Sequence, residues 1–530
     1  MTSVFSILWV IKSVRVALFW LYLMQLKEYR FDRLFDHFNT SKGKKLLIKR
    51  NALNVLSLFA SIFLISTLAQ PGPMTLSLIS TILLLYIAES IAATKSLFRK
   101  HSLPVFTKKS LVPTLGSLLF VLGFLWYALS FSGDTNFFVS ALLLGDILVP
   151  PAVLLVVSAL KPLNFLLKQR VFAKAKRKRE SLRNLHVIGT TGSFGKTTTK
   201  EIIGSVLEKK FRIIKTPEHV NTEIGIANFF LKNVNSNHDV FICEMGAYKK
   251  GEIKTIAKFL KPNMGVFIGA NEQHLALFGT MENLVEGEGG GELLALLPRD
   301  GVAIFNGENI YARKMHQRAN IKKILCGEDI KATDIDVLKD KTTFKTEGTK
   351  FETKLLGKHN IENILLAVAV GKSLGIEISD IAKAIAKIKP FPQTFELKKS
   401  KQGRNVIDAT YSSNPSGVLA HLDYLASWKK YKKIVVMPCL IELGDASKRV
   451  HKEIGQRLAE TTDLAIITTK DCFGDIASGA KLAKKNGEVV NLFDEEKIIS
   501  KIKSFAVKES VILLEGRISK LLAKKIYEET

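Results

Sequence analysis

The 530-residue sequence predicts an α-helical membrane domain followed by two α/β units built on parallel sheets. Three observations carry that expectation. The long apolar runs crowd into residues 1–160, whereas the remainder alternates charged and apolar stretches as a soluble α/β chain does. A β-branched pair, Val187-Ile188, enters a glycine-rich turn, after which Lys196 and three threonines open a helix. From about residue 390, short apolar runs alternate with helical stretches, the pattern of a second parallel sheet. Domain boundaries are expected at 1–180, 181–389 and 390–530, in keeping with a length prior of about three or four domains.

The formal net charge of +28 suits either a nucleic acid or an anionic membrane surface. Much of the excess lies beside the apolar runs, and there is neither zinc-finger spacing nor a basic stripe interleaved with aromatics. A lipid bilayer is therefore expected as a partner, and no nucleic acid. Cys243, Cys326, Cys439 and Cys472 are widely spread without a C-x-x-C pair. They read as reduced, mostly buried thiols of a cytosolic domain, not as a disulfide or metal framework.

Four segments, near 51–69, 74–93, 111–131 and 136–160, are long enough to span a bilayer. A core of ~30 Å takes about 20 helical residues. The links inside each pair, Gln70-Pro71-Gly72-Pro73 and 132–135, carry no Lys or Arg. The other connections are basic: Lys42, Lys44, Lys45, Lys49 and Arg50, then Lys95, Arg99, Lys100, Lys108 and Lys109, then K-A-K-R-K-R at 174–179. The positive-inside rule makes these two hairpins of a multi-pass inner or plasma membrane protein, with everything after 160 cytoplasmic. Within residues 1–25, Lys12 and Arg15 share one helical face. Each costs about 2.5–3.5 kcal/mol at the bilayer centre. An in-plane amphipathic helix avoids that cost and leaves Trp9 and Trp20 at the headgroups; the alternative is a fifth span. Charges within the apolar stretch and the lack of a small-residue cleavage site argue against a cleaved signal peptide. Glu89 and Asp146 lie inside spans, where acids are functional candidates. Packing near a helix end and before the Pro150-Pro151 kink explains them as well.

The stretch V-I-G-T-T-G-S-F-G-K-T-T-T-K-E-I at 187–202 reads as a phosphate cradle lined by Thr191, Gly192, Ser193, Gly195, Lys196, Thr197 and Thr198. Backbone N–H groups freed by the glycines and the positive end of the helix hold phosphate oxygens, Lys196 adds charge at the terminal phosphates, and the Thr197 hydroxyl suits magnesium. The first glycine of the general rule is replaced by Thr190. A polar loop at 215–225 precedes a helix, and the strand D-V-F-I-C-E-M at 239–245 delivers Glu244 to the sheet's carboxyl end, where a carboxylate completes magnesium coordination. The strand at 265–269 delivers Asn271 and His274 to the same edge.

That loop, E-M-G-A-Y-K-K-G-E-I at 244–253, N-E-Q-H-L-A-L-F-G-T at 271–280, G-K-H-N-I-E-N at 357–363 and D-A-T-Y-S-S-N-P at 408–415 resemble, in this order, the motifs of the Mur ligases. The likeness is greatest to the branch that adds D-alanyl-D-alanine to a muramoyl tripeptide, and it covers about 181–530. It implies a P-loop central domain and a Rossmann-like C-terminal domain. The implied activity is ATP-dependent ligation, in which a peptide carboxylate is phosphorylated and an amine then expels phosphate. ATP and Mg2+ are the implied cofactors; a nucleotide- or lipid-linked cell-wall peptide and an amino acid or dipeptide donor are the implied partners. By motif, Lys196 contacts the β/γ-phosphates, and Thr197 and Glu244 bind one magnesium. His274 serves a second, Asn360 and Asn363 face the adenine, and Asp408 the ribose. Asn221, Thr222, Asn414 and His451 face the substrates. Leu440-Ile441-Glu442-Leu443-Gly444 and Glu515-Gly516-Arg517 resemble motifs lining the amine cleft.

Three positions depart from the pattern. The family carries a carbamylated lysine where Gly290 stands, within E-G-E-G-G-G-E-L at 286–293. Either Glu286, Glu288 or Glu292 supplies the bridging carboxylate instead, with Glu288 the metal candidate and the glycine run flexible enough to let it reach in, or the second metal site is weakened. Phe194 replaces a small polar residue, and Thr394 an arginine for which Lys398, Lys399 or Arg404 is the expected compensation. The soluble domain with which such ligases grip uridine diphosphate is not recognisable; apolar segments hold its place, so either the acceptor's nucleotide handle is held otherwise or the acceptor is already on a lipid carrier. A non-catalytic nucleotide-binding scaffold or sensor is the competing reading. A transporter lacks both an ABC-type signature and a polar pathway.

Overall fold

The computed structural model describes residues 1–530 except 28, 40, 68–71, 99–102 and 486, so Gln70, Pro71, Arg99 and Lys100 of the expected links lie outside the described residues. The chain divides into Met1–Leu167 and Lys168–Thr530, a break some residues earlier than the expected boundary at 180.

The first unit is helical: α1 (Thr2–Leu26), α2 (Phe31–Asn39), α3 (Ser41–Ser66), α4 (Pro73–Phe98), α5 (Lys108–Leu129), α6 (Thr135–Ala159) and the start of α7 (Lys161–Ser181). The helices begin or end beyond the apolar runs because Lys and Arg are good helix formers and no Gly or Pro stops them. Thus α3 takes in Lys44, Lys45, Lys49 and Arg50, and α4 takes in Lys95. The Asp134 side chain accepts the Asn136 and Phe137 N–H groups and so starts α6. Among the described residues, five helices are long and apolar enough to cross a membrane, α1 among them.

The expected in-plane position of residues 1–25 is not what the fold shows. α1 packs against α4, α5 and α6. Trp9 and Trp20, expected at the headgroups, are buried, and Trp9 Nε1 donates to the Leu142 carbonyl at 2.9 Å. The charge that argued against insertion is paired: Lys12 Nζ lies 2.6 Å from Glu89 and 2.8 Å from Asp146, and Tyr86 donates to Asp146 at 2.8 Å. Arg50 donates to the Asp146 carbonyl. Glu89 and Asp146 are thus the counter-charges of a basic side chain on another helix, which lowers the cost of burying Lys12 and Asp146.

The second unit carries two six-stranded sheets. Its first part runs β1 (His186–Thr191), α8 (Lys196–Leu207), β2 (Ile213–Lys215), α9 (Glu223–Asn233), β3 (Val240–Glu244), α10 (Glu252–Leu260) and β4 (Met264–Phe267). Then come α11 (Leu275–Phe278), α12 (Met281–Glu286), α13 (Gly291–Leu294), β5 (Val302–Asn306), α14 (Ile310–Arg318) and β6 (Lys322–Cys326). These strands are parallel in the order β2-β3-β1-β4-β5-β6. The chain leaves β1 to one side for β2 and β3 and returns on the other for β4, so a crevice opens at the carboxyl end of β1. A small antiparallel sheet of β7 (Thr333–Val337), β8 (Thr342–Thr346) and β9 (Thr349–Thr353) follows, held by Phe344 stacked on Phe351. Next are α15 (Lys358–Ser373) and α16 (Ile378–Ala386).

The last part has β10 (Glu396–Lys399), β11 (Asn405–Ala409), α17 (Pro415–Ala426), β12 (Lys432–Met437), α18 (Ser447–Thr461), β13 (Leu464–Ile467), α19 (Phe473–Ala480), β14 (Glu488–Asn491), α20 (Glu495–Phe505), β15 (Ser510–Glu515) and α21 (Lys520–Glu529). The order is β10-β11-β15-β12-β13-β14, parallel except for β10. Runs such as Ile434–Met437 and Val511–Leu514 are buried throughout, as strands covered by helices on both faces must be.

Candidate active site

β1 ends at Thr191, and the chain turns into α8 through two positions that only glycine fills. Gly192 has φ +144°, and a Cβ there would lie 2.8 Å from the Gly269 carbonyl oxygen, which accepts the Ser193 N–H at 2.8 Å. Gly195 has φ +67°, and a Cβ would meet Asn363 Oδ1 at 2.8 Å. The loop's amides and the start of α8 make the phosphate-binding concavity the sequence predicts. Phe194, where a polar residue was expected, packs onto the core beneath the loop.

Glu288 fills the centre. It is 1% exposed; Lys196 Nζ lies 3.1 Å from one carboxylate oxygen, Ser193 Oγ donates to the other at 3.1 Å, and His274 Nδ1 stands 3.2 and 3.1 Å from the two. Burial alone would raise its pKa, but the Lys196 and His274 charges and their hydrogen bonds hold it down at about 2. Burial likewise opposes the charge on Lys196, and Glu288 and Glu244 overcome it, raising the lysine's pKa. Of the three expected substitutes only Glu288 enters the site: Glu286 pairs with Arg318 at 2.5 Å, and Glu292 accepts the Gly251 and Lys254 N–H groups at 2.5 and 2.8 Å. Gly290, at the family's lysine position, has φ +111°, and a Cβ would sit 2.6 Å from Thr191 Cγ2 and from Phe267 Cδ1. No side chain fits there.

A second group of oxygens lies beside it. Thr197 Oγ1 donates to Glu244 Oε2 at 2.8 Å, and Asn221 Nδ2 donates to Glu244 Oε1 at 3.1 Å. Thr222 starts α9 close by in sequence, and Thr198 is in the first turn of α8. Lys200, fully buried, lies 3.6 Å from Glu244 and donates to the Thr216 carbonyl at 2.7 Å. The Tyr411 pKa is raised by burial and by the Glu244 charge, and its hydroxyl lies 3.4 Å from His219 Nδ1. Sequence reading missed Lys200 and Tyr411. The signals were there: Lys200 is one helical turn from Lys196, and Tyr411 lies within the D-A-T-Y motif.

The C-terminal part completes the cleft. His274, at φ +66°, has Nε2 3.5 Å from Glu442, whose carbonyl accepts the Ala276 N–H at 3.0 Å. Asn271 donates to Asn414 Oδ1 at 2.8 Å, and that oxygen also caps α17. Asn363 accepts from Thr199 at 3.1 Å and donates to Asn360 at 3.2 Å, which ties α15 to α8 beside the loop. Asp408, on β11, accepts from Lys398 at 3.1 Å, Tyr527 at 3.2 Å and Thr410 at 2.6 Å.

Several expected roles change. The Thr191 hydroxyl is buried and donates to the Glu288 carbonyl at 2.8 Å, so it fixes the carboxylate's segment instead of facing a phosphate. His451 does not line the cleft: it is 0% exposed, Nε2 accepts the Leu440 N–H at 3.0 Å, and Nδ1 lies 2.8 Å from the Ser447 carbonyl. Lys399 donates to Asn405 and Arg404 to the Val507 carbonyl, leaving Lys398, beside Asp408, as the one of the three next to an expected nucleotide contact.

Residues 190–371 match the Mur ligase middle domain, and residues 395–518 the Mur ligase glutamate ligase domain. The UDP-N-acetylmuramoyl-tripeptide–D-alanyl-D-alanine ligase of Bacillus subtilis is 30% identical over 335 residues, 62% of this chain and 72% of that protein. The chain belongs to the Mur ligase family. The enzyme of the same name from Escherichia coli is 25% identical over 338 residues, 62% of this Mur ligase and 73% of its own length. Among solved structures, MurF of Thermotoga maritima in complex with ADP aligns with a TM-score of 0.57 at 27% identity, covering 66% of this chain and 81% of that one. A MurF structure from Acinetobacter baumannii aligns with a TM-score of 0.61 at 24% identity, over 68% and 80% of the two chains, which speaks for the fold. As a Mur ligase the protein is an ATP-dependent peptide ligase.

Proposed function

We propose that this Mur ligase adds D-alanyl-D-alanine, or a similar amine, to the peptide of a muramoyl cell-wall precursor, while its N-terminal helices anchor it in the membrane with the catalytic unit on the cytoplasmic side. The observation that carries the reading is the buried Glu288 carboxylate between Lys196, Ser193 and His274. It restores an acid beside the phosphate loop although the family's lysine is a glycine, which speaks against a catalytically impaired scaffold.

The carboxyl end of the acceptor peptide and the γ-phosphate of ATP are both anions, so the reaction depends on holding them together and neutralising charge. Lys196, the loop amides and the start of α8 hold the β/γ-phosphates. The Thr197 hydroxyl and the Glu244 carboxylate, 2.8 Å apart, form a hard oxygen pair that suits magnesium, with Glu288 and His274 as the second donor set. Bound magnesium would neutralise the transferring phosphoryl group. A peptide carboxylate oxygen attacks the γ-phosphorus and ADP leaves; the amine then attacks the acyl carbon and phosphate leaves with the carboxylate's oxygen. Asn360 and Asn363 stand for the adenine, Asp408 with Lys398 for the ribose, and Asn221, Thr222 and Asn414 for the substrates.

The detergent-solubilised full chain, given ATP, Mg2+, UDP-linked muramoyl tripeptide and D-alanyl-D-alanine, should release phosphate only when the amine is present. Lys196→Ala should abolish turnover, a loss of several kcal/mol of transition-state stabilisation, on the order of the contribution of comparable electrostatic groups. Nucleotide binding without amine-dependent phosphate release, for every acceptor tried, would leave only a nucleotide-binding scaffold.

A further inference from the structure

Cys439 and Cys472, 33 residues apart in the chain, are brought together beside the amine-side loop of the cleft. Cys439 follows the end of β12 and Cys472 immediately precedes α19. The Cys472 N–H donates to Cys439 Sγ at 3.3 Å, and the two sulfurs and one ring nitrogen of His451 all lie within 4.8 Å of one another. Two sulfurs and an imidazole are donors that zinc favours, but His451 is already committed. Its Nε2 lone pair takes the Leu440 N–H, so its proton is on Nδ1 and is donated to the Ser447 carbonyl. Neither nitrogen has a lone pair left for a metal, and what remains is a pair of thiols.

We propose that Cys439 and Cys472 form a reversible disulfide that controls the loop running from Cys439 to Gly444. That loop leads within three residues to Glu442, whose carboxylate faces His274 at 3.5 Å and whose carbonyl holds the Ala276 N–H at 3.0 Å. Glu442 and Gly444 both have positive φ, 65° and 54°, so the segment has little freedom to absorb a shift of its first residue. Closing the sulfurs to the ~2.05 Å of a disulfide draws the end of β12 toward α19 and breaks the Cys472 N–H bond to Cys439.

The chemistry of the pair suits it. Cys439 is the thiolate partner: the Cys472 thiol, Thr469 and the Cys472 amide hydrogen-bond to its sulfur and, outweighing burial, lower its pKa. The Cys439 thiolate attacks one sulfur of a low-molecular-weight disulfide, takes up that half of the oxidant and releases the other as thiol. Cys472, the more exposed of the two, then loses its proton as its sulfur attacks the Cys439 mixed disulfide and expels the second thiol. Two electrons pass from the protein thiols to the oxidant, and the two protons end on the released thiols.

The test uses the full chain treated with oxidised glutathione, then alkylated, digested and read by mass spectrometry. A linked peptide pair containing Cys439 and Cys472 is expected, two hydrogens lighter than the sum of its parts, absent from Cys472→Ser and reversed by dithiothreitol. This readout does not depend on the ligase reading. On that reading, oxidation also lowers amine-dependent phosphate release about ten- to a hundredfold, as misplacing a positioned group does. Cys472→Ser keeps its unoxidised rate and loses the response. No linked pair over a range of glutathione ratios overturns the disulfide, and so does stoichiometric Zn2+ held by both thiols. A linked pair with unchanged turnover overturns the control of the loop. An absence of turnover before oxidation counts against the ligase reading alone.

Discussion

Glu288 carries the charge balance of the phosphate site, and its neighbours say what its removal does. Glu288→Gln keeps the shape but leaves Lys196 and His274 without their shared anion; turnover should fall about 10²–10³-fold, with a weakened magnesium dependence in steady-state kinetics. An unchanged magnesium titration would assign the metal elsewhere. Restoring the family's residue should fail: Gly290→Lys puts a Cβ 2.6 Å from Thr191 and Phe267 at φ +111°. Even Gly290→Ala should cost about 1–3 kcal/mol in denaturant unfolding. The pH dependence has a definite sign. Glu288 has a folded pKa of about 2, below its ordinary 4.5. Its stabilising contribution is therefore complete above 4.5 and lost as pH falls toward 2, which acid titration of stability in Glu288→Gln against the parent should show as a difference confined to that window. That a glutamate of this stretch can reach the phosphate loop was legible in the sequence. Which one enters the site was not settled by spacing, because the answer depends on Arg318 and on the amides of Gly251 and Lys254 claiming the other two.

Among elements, the phosphate loop and α8 were readable because local rules fix them: a β-branched strand, glycines at positive φ, and a helix start. The strands delivering Glu244 and His274 were readable for the same reason. The antiparallel β7-β8-β9 sheet was not, since its strands alternate Thr, Asp, Lys and Glu around Phe344 and Phe351 and offer little apolar signal. The length of α1 was legible but not its position. Lys12 looks prohibitive in a span until Asp146, 134 residues away, is known to meet it. Lys12→Met should remove the ammonium shared by Glu89 and Asp146 and destabilise the detergent-solubilised chain by about 3–5 kcal/mol, seen as a lowered thermal midpoint. Adding Asp146→Asn should recover part of the loss, as a double-mutant cycle would show. Independent, additive effects would mean that the pair does not stabilise the helices.

At the scale of the molecule, an apolar helical unit and a Mur ligase unit share one chain, and composition alone marked the division through the crowding of apolar runs before residue 160. On the proposed reading, tethering to the bilayer would raise the ligase's effective concentration toward a lipid-linked acceptor without new contacts. Ligation of a lipid-linked muramoyl peptide in vesicles should then depend on residues 1–167, the helical unit. Equal rates with soluble nucleotide-linked peptide after their removal would assign the helices another role. Attack of a peptide carboxylate on ATP in the cleft at Lys196 leaves a trace that oxygen-18 in the acceptor's terminal carboxylate reveals. Each amide bond formed should place one labelled oxygen in the released phosphate. Amide product with unlabelled phosphate, or ATP consumed with no label transferred, would contradict it.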